Sequence, residues 1–271
     1  MKSILITLIV LILIIAISLT LSLIIKKYSK LNKKRHVFMF TTLFSILTIF
    51  ICFTCYVSIY NHADKSVKNY LISGDVTVKK EKDGYYFDGK GTNDLIIFYP
   101  GAKVEYTSYA PLMHELASSG IDTFLVKMPF NMAMFGENKA SKIIKKYNYN
   151  SIYMSGHSLG GVFASSYASK TDKVKGVLLL ASYSTKSLSN KEVLSIYGTN
   201  DGILDKKEYD KNKNNLPNNY TEYVIDGANH SQFGLYGLQK KDKEASISFD
   251  TQLYLTVNKM IDFVNKDDNK D

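Results

Sequence analysis

Hydrophobic and polar residues follow two different patterns along this chain. The first 60 residues are dominated by two long apolar runs, residues 4–25 and 37–60. After them, short apolar runs alternate with stretches whose apolar residues recur at helical spacing. The first pattern is typical of membrane-spanning helices, and the second of strands and helices in a globular domain. We therefore predict a membrane region at residues 1–60 and a globular domain at residues 61–271.

The two apolar runs predict a transmembrane hairpin. A helix over residues 4–25 would rise by about 33 Å, which is enough to cross the hydrocarbon core. A cleaved signal peptide is the alternative for this run. The run is too long for one, Lys2 is the only charge before it, and no small-residue cleavage site follows it.

Charge predicts the orientation of this hairpin. The loop at residues 26–36 holds six of the lysines and arginines, and such loops lie in the cytoplasm. Both termini and the globular domain are then expected outside the cytoplasm, on the cell membrane. The first 60 residues contribute +7 of the net charge of +9. The basic character therefore concerns topology, and we do not expect a nucleic-acid partner.

The two cysteines suggest neither a disulfide nor a metal site in the globular domain. Cys52 and Cys55 both lie in the second apolar run, where small residues at a helix contact are a more common explanation than a redox pair. No Cys and His spacing typical of a metal site occurs in the chain. We expect no metal and no cofactor.

The globular domain is predicted to have the α/β fold class. Two short alternating runs around Asp83-Gly84 predict a β-hairpin at residues 76–88. Short apolar strands then alternate with helices, a pattern that predicts a mostly parallel sheet covered on both faces. The strands are predicted at residues 94–99, 123–128, 152–155, 176–181, 193–197 and 221–225, and the helices at 109–119, 132–147, 162–168, 206–214 and 251–264.

A candidate nucleophile lies between the strand at 152–155 and the helix at 162–168. Gly156-His157-Ser158-Leu159-Gly160 matches the G-x-S-x-G pattern of a nucleophile elbow. A serine on so tight a turn has a strained backbone, and the flanking glycines allow strand and helix to pass closely. The turn exposes the Ser158 hydroxyl, and the helix N-terminus behind it favours an oxyanion.

A nucleophilic serine needs a general base, and five histidines are candidates. His36 lies in the basic loop, His62 follows the second apolar run, His114 lies within a predicted helix, and His157 belongs to the elbow itself. His230 lies just after the last predicted strand. In a parallel sheet, ligands bind beyond the carboxyl ends of strands. The sequence therefore favours His230.

A carboxylate should orient that histidine and stabilise its cation. Asp201 lies in a tight loop just after the strand at 193–197. The chain order Ser158, Asp201, His230 is the order that α/β-hydrolases use. Asp226, four residues before His230, and Asp205 remain as less favoured alternatives, and the Asn-Asp-Gly cluster at Asp201 could be a simple turn.

Four stretches resemble the α/β-hydrolase superfamily and its compact branch similar to the dienelactone-hydrolase-related enzymes. They are residues 98–102 (Phe-Tyr-Pro-Gly-Ala), 156–161 (Gly-His-Ser-Leu-Gly-Gly), 197–202 (Tyr-Gly-Thr-Asn-Asp-Gly) and 227–230 (Gly-Ala-Asn-His). The resemblance covers about residues 92–264. Dienelactone hydrolases use a cysteine nucleophile where this chain has serine, so lactone specificity is not implied.

The resemblance also implies an oxyanion hole. In that family one N–H comes from the loop after the first parallel core strand and another from the residue after the nucleophile, which here are Ala102 and Leu159. Lys103, Glu105 and Lys127 follow neighbouring strand ends and are candidate substrate-binding residues, although the alternative of solvated loop charges explains them at least as well.

These features predict a membrane-anchored serine hydrolase that cleaves an ester-like acyl bond of a small molecule or lipid. An acyltransferase with the same triad is one alternative, and a non-catalytic surface module on the same fold is another. The 43 residues from Ser158 to Asp201 leave no room for a cap domain. A lid would come from residues 231–247 or from the bilayer.

Overall fold

The computed structural model describes residues 2–28, 34–90 and 93–266. Its contacts divide the chain into two compact units, Met1–Ile59 and Tyr60–Asp271. This division falls one residue before the domain boundary that the hydrophobic pattern predicts.

The first unit contains two helices, α1 (Lys2–Tyr28) and α2 (Lys34–Ser58). Within the described part of the chain, one helix, His36–Ser58, is long and apolar enough to cross a membrane. Both helices extend into the predicted loop at 26–36, whose residues 29–33 lie outside the described residues. The two-helix transmembrane hairpin stays a prediction.

The second unit is built on one sheet. In the described residues its eight strands follow the order β1-β2-β4-β3-β5-β6-β7-β8. The hairpin β1–β2 pairs antiparallel to β4, and every pairing from β4 to β8 is parallel. The mostly parallel sheet is therefore confirmed. The strands are β1 Thr77–Glu81, β2 Gly84–Asp88, β3 Asp94–Tyr99, β4 Asp122–Val126, β5 Ser151–His157, β6 Gly176–Leu180, β7 Glu192–Gly198 and β8 Thr221–Ile225.

Helices cover both faces of this sheet. Residues of α3 and α7 pack in one hydrophobic cluster, and residues of α4 and α5 pack in the other. Alternate residues of β3 contribute to the two clusters, as the period of two in a strand requires. The helices are α3 Ala110–Ser118, α4 Ala140–Lys146, α5 Leu159–Ala168, α6 Lys206–Asn212 and α7 Phe249–Val264.

The helix predicted over residues 132–147 is wrong in its first half. Residues Ala133–Phe135 and Glu137–Lys139 form separate 3-10 turns, and α4 begins only at Ala140. Gly136 separates the turns with φ −141° and ψ 22°, and glycine gives little support to a continuous helix. The apolar spacing of this segment follows from Met132 and Ala133, which are buried although neither lies in an α-helix.

The chain enters the second unit along a loop at the carboxyl ends of the strands. Asn61 forms a parallel bridge with Val104, which follows β3. A 3-10 helix, Lys65–Leu71, then packs against α3. The parallel strands point the same way, so the loops after β3, β4, β5, β7 and β8 gather at one edge of the sheet. All of the candidate site residues follow strand ends at this edge.

Candidate active site

Ser158 lies on a strained turn between β5 and α5. Its φ of 52° and ψ of −127° are unusual for a residue with a side chain. Its N–H donates to the Leu180 carbonyl at 2.9 Å. A Cβ on Gly156 would lie 2.6 Å from backbone atoms of Gly160 and Gly161, and one on Gly160 would overlap the carbonyl oxygens of Tyr99 and Pro100. Glycines therefore allow the close passage of strand and helix that holds this turn.

His230 and Asp201 form a buried pair. The Nδ1 atom of His230 lies 2.9 Å from Oδ2 of Asp201, and the side chains are only 1% and 3% exposed. The other carboxylate oxygen of Asp201 accepts the N–H groups of Ile203 and Leu204 at 2.8 and 2.7 Å. Both oxygens are therefore engaged, which fixes the carboxylate and the plane of the imidazole.

The loop that carries His230 is held on both sides of the ring. The buried Gln252 of α7 accepts the Asn229 N–H at 3.2 Å and donates to the Asn229 carbonyl at 2.9 Å. On the other side, Asp242 accepts both the N–H and the hydroxyl of Ser231. In the sequence, the signal for Gln252 is an amide side chain among the residues that form the buried face of an amphipathic helix.

Ser158 and His230 line the same cavity, which has a volume of about 180 Å³. Apolar side chains form much of its wall: Leu159, Val162, Ala181, Ile203 and Leu204. The Nε2 atom of His230 is buried and has no hydrogen-bond partner among the described residues. Residues of the His230 loop also line a larger cavity of about 370 Å³, together with Phe249 of α7; they include Asn229 and Ser231. Ser158 and His230 therefore share one cavity, and the second ring nitrogen of His230 bonds to no described residue.

The two alternative carboxylates have other partners. Asp226 is exposed and accepts the Thr199 hydroxyl at 3.0 Å. Asp205 caps α6 by accepting the N–H groups of Lys207 and Glu208. Asp201 is the carboxylate that contacts the His230 ring.

The two predicted oxyanion donors lie at the turn and at the neighbouring strand end. Leu159 is the first residue of α5, so its N–H has no carbonyl of the same helix to bond. Ala102 follows β3, and its N–H donates to no backbone carbonyl of the described residues. Their role as oxyanion donors stays a prediction.

The three predicted substrate-binding residues lie outside the cavity lining. Lys103 has a φ of 58° and donates its N–H to the Asn131 carbonyl at 2.8 Å. Glu105 accepts the Ala63 N–H at 3.1 Å and lies 3.5 Å from His62, so it fastens the segment that enters the domain. Lys127 is exposed. Their role in substrate binding stays a prediction.

Sequence reasoning missed a hydrogen-bonded link through Tyr109. The Gly101 N–H donates to the Tyr109 hydroxyl at 3.2 Å, and that hydroxyl lies 2.8 Å from Nδ1 of His157. The His157 ring also packs on the His230 ring, with centroids 4.4 Å apart. Burial, and secondly the neighbouring His230, hold the pKa of His157 well below its usual 6.5. His157 is therefore neutral beside the imidazole of the pair.

Comparison with known families identifies the fold. A model of the alpha/beta hydrolase family matches residues 95–254, more than half of the chain. The chain belongs to the alpha/beta hydrolase family. The superfamily resemblance and the expected fold are thereby confirmed, and the strained turn at Ser158 lies within the matched region of this hydrolase.

Solved structures show the same fold at low sequence identity. A putative lipase from Acinetobacter baumannii AYE matches with a TM-score of 0.54 and 12% identity, over 74% of this chain and 95% of its own. Carboxyl esterase 2 from the mycorrhizal fungus Tuber melanosporum matches with a TM-score of 0.53 and 13% identity, over 75% and 91%. A predicted CIB-like hydrolase from Thermoplasma acidophilum matches with a TM-score of 0.52 and 11% identity, over 68% of this chain and 98% of its own. No curated protein matches the hydrolase sequence.

Proposed function

We propose that this protein is a serine hydrolase that cleaves ester-like acyl bonds through Ser158, His230 and Asp201. The observation that carries the proposal is the imidazole of His230. One ring nitrogen is bonded to a fixed carboxylate at 2.9 Å, and the other has no described partner. This ring lines one cavity with a serine on a strained turn, an arrangement suited to nucleophilic catalysis.

In the proposed reaction, the Ser158 hydroxyl attacks the acyl carbonyl and His230 Nε2 takes its proton. Asp201 holds the Nδ1–H and stabilises the cationic ring. The N–H groups of Ala102 and Leu159 bind the oxygen that becomes negative. The alcohol leaves with the proton from His230, and water, activated by the same nitrogen, hydrolyses the acyl-enzyme and restores Ser158.

Membrane anchorage belongs to the same proposal. Two apolar runs and the basic loop between them support two transmembrane helices, with the hydrolase domain outside the cytoplasm. The length and composition of His36–Ser58 agree with the second of these helices. The substrate is then a small-molecule or lipid ester outside the cytoplasm.

A fluorophosphonate probe tests the nucleophile, because it reacts covalently with an activated serine. We expect membranes that hold the wild-type chain to be labelled and the Ser158→Ala chain to remain unlabelled. Ser169→Ala is the control, since this serine lies just after α5 and donates to the Ser166 carbonyl, away from the cavity. Labelling should persist in this control.

Two outcomes would overturn the proposal. One is a folded wild-type protein that the probe does not label, which would favour a non-catalytic binding module. The other is a Ser158→Ala protein that the probe still labels at the wild-type rate, which would place the reactive serine elsewhere.

A further inference from the structure

An exposed apolar cluster follows β4, at the same edge of the sheet as the candidate active site. Phe130, Met134 and Phe135 are 51%, 52% and 45% exposed, and the two phenylalanine rings meet edge to face with centroids 5.5 Å apart. We call these three residues the apolar patch. Their segment follows β4 at the carboxyl edge of the sheet. Contiguous exposed apolar side chains commonly mark a surface that contacts another apolar phase.

The backbone holds the apolar patch outward. Phe130 and Asn131 have φ values of 54° and 52°, a left-handed conformation that bulky residues seldom adopt. Met132 and Ala133, which follow them, are buried in the core. Burial of Met132 and Ala133 thus anchors the segment to the core while its aromatic side chains are exposed. Backbone strain of this kind clusters at functional positions.

One residue connects the apolar patch to the proposed oxyanion loop and to the entry of the chain. The Lys103 N–H donates to the Asn131 carbonyl at 2.8 Å. The Lys103 carbonyl accepts the Asn61 N–H, also at 2.8 Å. Lys103 directly follows Ala102, one of the proposed oxyanion donors. Backbone hydrogen bonds therefore join three segments: the one that carries the patch, the loop that holds Ala102, and the entry of the chain at Asn61.

Chain length limits how far this region can lie from a membrane. The apolar helix ends at Ser58, and Asn61 follows it by three residues. Three residues extend over roughly 11 Å at most. If the helix spans the bilayer, the loop bonded to Asn61 lies within about that distance of the bilayer surface. Lys127 is exposed between β4 and the patch, and a lysine at a membrane interface can lay its stem on apolar surface while its charged end stays in water.

We propose that the apolar patch docks into the outer face of the bilayer that holds the chain's own helices. The proposal rests on the function given above and narrows its substrate class. Docking would put the cavity of Ser158 beside the leaflet, so the substrate is an acyl ester of a lipid in that membrane. Acyl chains would pass from the leaflet to the apolar wall of the cavity without crossing water.

Tryptophan fluorescence tests docking without any need for catalysis. The chain contains no tryptophan, so Phe135→Trp in the full chain gives a single reporter in the patch. In vesicles that contain brominated phosphatidylcholine, we expect strong quenching of this reporter and a blue-shifted emission. Asn219→Trp is the matched control, because exposed Asn219 precedes β8 at the opposite edge of the sheet. Equal quenching of the two reporters would overturn docking.

Activity tests the substrate class separately. In the double variant Met134→Ser/Phe135→Ser, we expect hydrolysis of lipid esters in vesicles to fall by about tenfold, since apolar contact with the bilayer is lost. Hydrolysis of a soluble short-chain ester should stay within about twofold. Equal loss on both substrates, or lipid hydrolysis at the wild-type rate, would overturn the inference. Quenching of Phe135→Trp in a chain that no fluorophosphonate labels would refute the proposed function and leave docking intact.

Discussion

At the scale of single residues, Tyr109 connects the two loops that hold the proposed oxyanion donors. Its hydroxyl accepts from Gly101, the neighbour of Ala102, and bonds to His157, the neighbour of Ser158. Tyr109 is fully buried, and burial raises the pKa of its hydroxyl well above 10.0. A protonated hydroxyl that accepts the Gly101 N–H can donate its own hydrogen to Nδ1 of His157. Tyr109 is therefore a positioning residue for both loops.

We predict that Tyr109→Phe lowers kcat for ester hydrolysis by about tenfold with little change in KM, because a displaced donor weakens transition-state binding most. Tyr153→Phe is the control, since Tyr153 is equally buried but lies in the first half of β5, away from the site. Steady-state kinetics of the two variants decides the matter. A fall in stability with unchanged kcat would reduce Tyr109 to a structural residue.

His157 gives the stability of the folded protein a dependence on pH. Burial keeps its pKa well below 6.5 in the folded chain, whereas the unfolded chain titrates near that value. As the pH falls below 6.5, the unfolded state binds a proton that the folded state does not bind. The free energy of unfolding therefore decreases on acidification, with its full value present above pH 6.5.

We predict that His157 alone removes about 1 kcal/mol of stability between pH 6.5 and 5.5. Urea unfolding of the full chain at these two values, compared with His157→Gln, isolates this contribution, because glutamine does not titrate. The variant should lose less stability than the wild type over this interval. Equal losses would mean that His157 is protonated in the folded protein.

At the scale of elements, the close crossing of β3 and α5 depends on Gly160. A Cβ at this position would overlap two backbone carbonyls, which no side-chain rotation can relieve. We predict that Gly160→Ala lowers the free energy of unfolding by about 1–3 kcal/mol or more. The melting temperature should fall, and fluorophosphonate labelling should be abolished. Gly74→Ala is the matched control, because nothing lies within 4 Å of its added Cβ. A stable, fully labelled Gly160→Ala protein would contradict this packing.

Sequence patterns predicted the mostly parallel sheet well. Strand ends are marked by abrupt changes from apolar to turn-forming residues, and the loops after them carry Ser158, Asp201 and His230. The same patterns could not predict the link from Gly101 through Tyr109 to His157, because a tyrosine at a helix start looks like an ordinary core residue. They also failed at residues 132–139, where tertiary burial imitates helical spacing.

Hydrogen bonds between distant segments were equally hidden. Glu105 is a candidate substrate-binding residue because it follows a strand end, and its carboxylate also accepts the Ala63 N–H. Nothing in the local sequence of residues 61–63 predicts that partner. The exposed apolar patch was hidden for another reason: Phe130 lies outside the helical spacing and is exposed by a left-handed turn.

At the scale of the whole molecule, charge and hydropathy are distributed unequally. The first 60 residues contribute +7 of the net charge of +9 and contain no acidic residue. If the basic loop stays in the cytoplasm, the proposed hydrolase acts on the other side of the membrane. The apolar patch then meets the outer leaflet. The opposite orientation would expose the same site to the inner leaflet and to cytoplasmic esters, so topology decides which substrates are within reach.

We predict that the basic loop lies in the cytoplasm and the hydrolase unit outside it. Labelling with a membrane-impermeant maleimide tests this orientation. In a Cys52→Ser/Cys55→Ser background, Asn218→Cys places one thiol on the exposed surface of the hydrolase unit, and Lys30→Cys places one in the basic loop. With an intact cytoplasmic membrane, the reagent should label the thiol at 218 and reach the thiol at 30 only after permeabilisation. The reverse pattern would put the hydrolase in the cytoplasm. Labelling of both thiols before permeabilisation would contradict a hairpin that crosses the membrane twice.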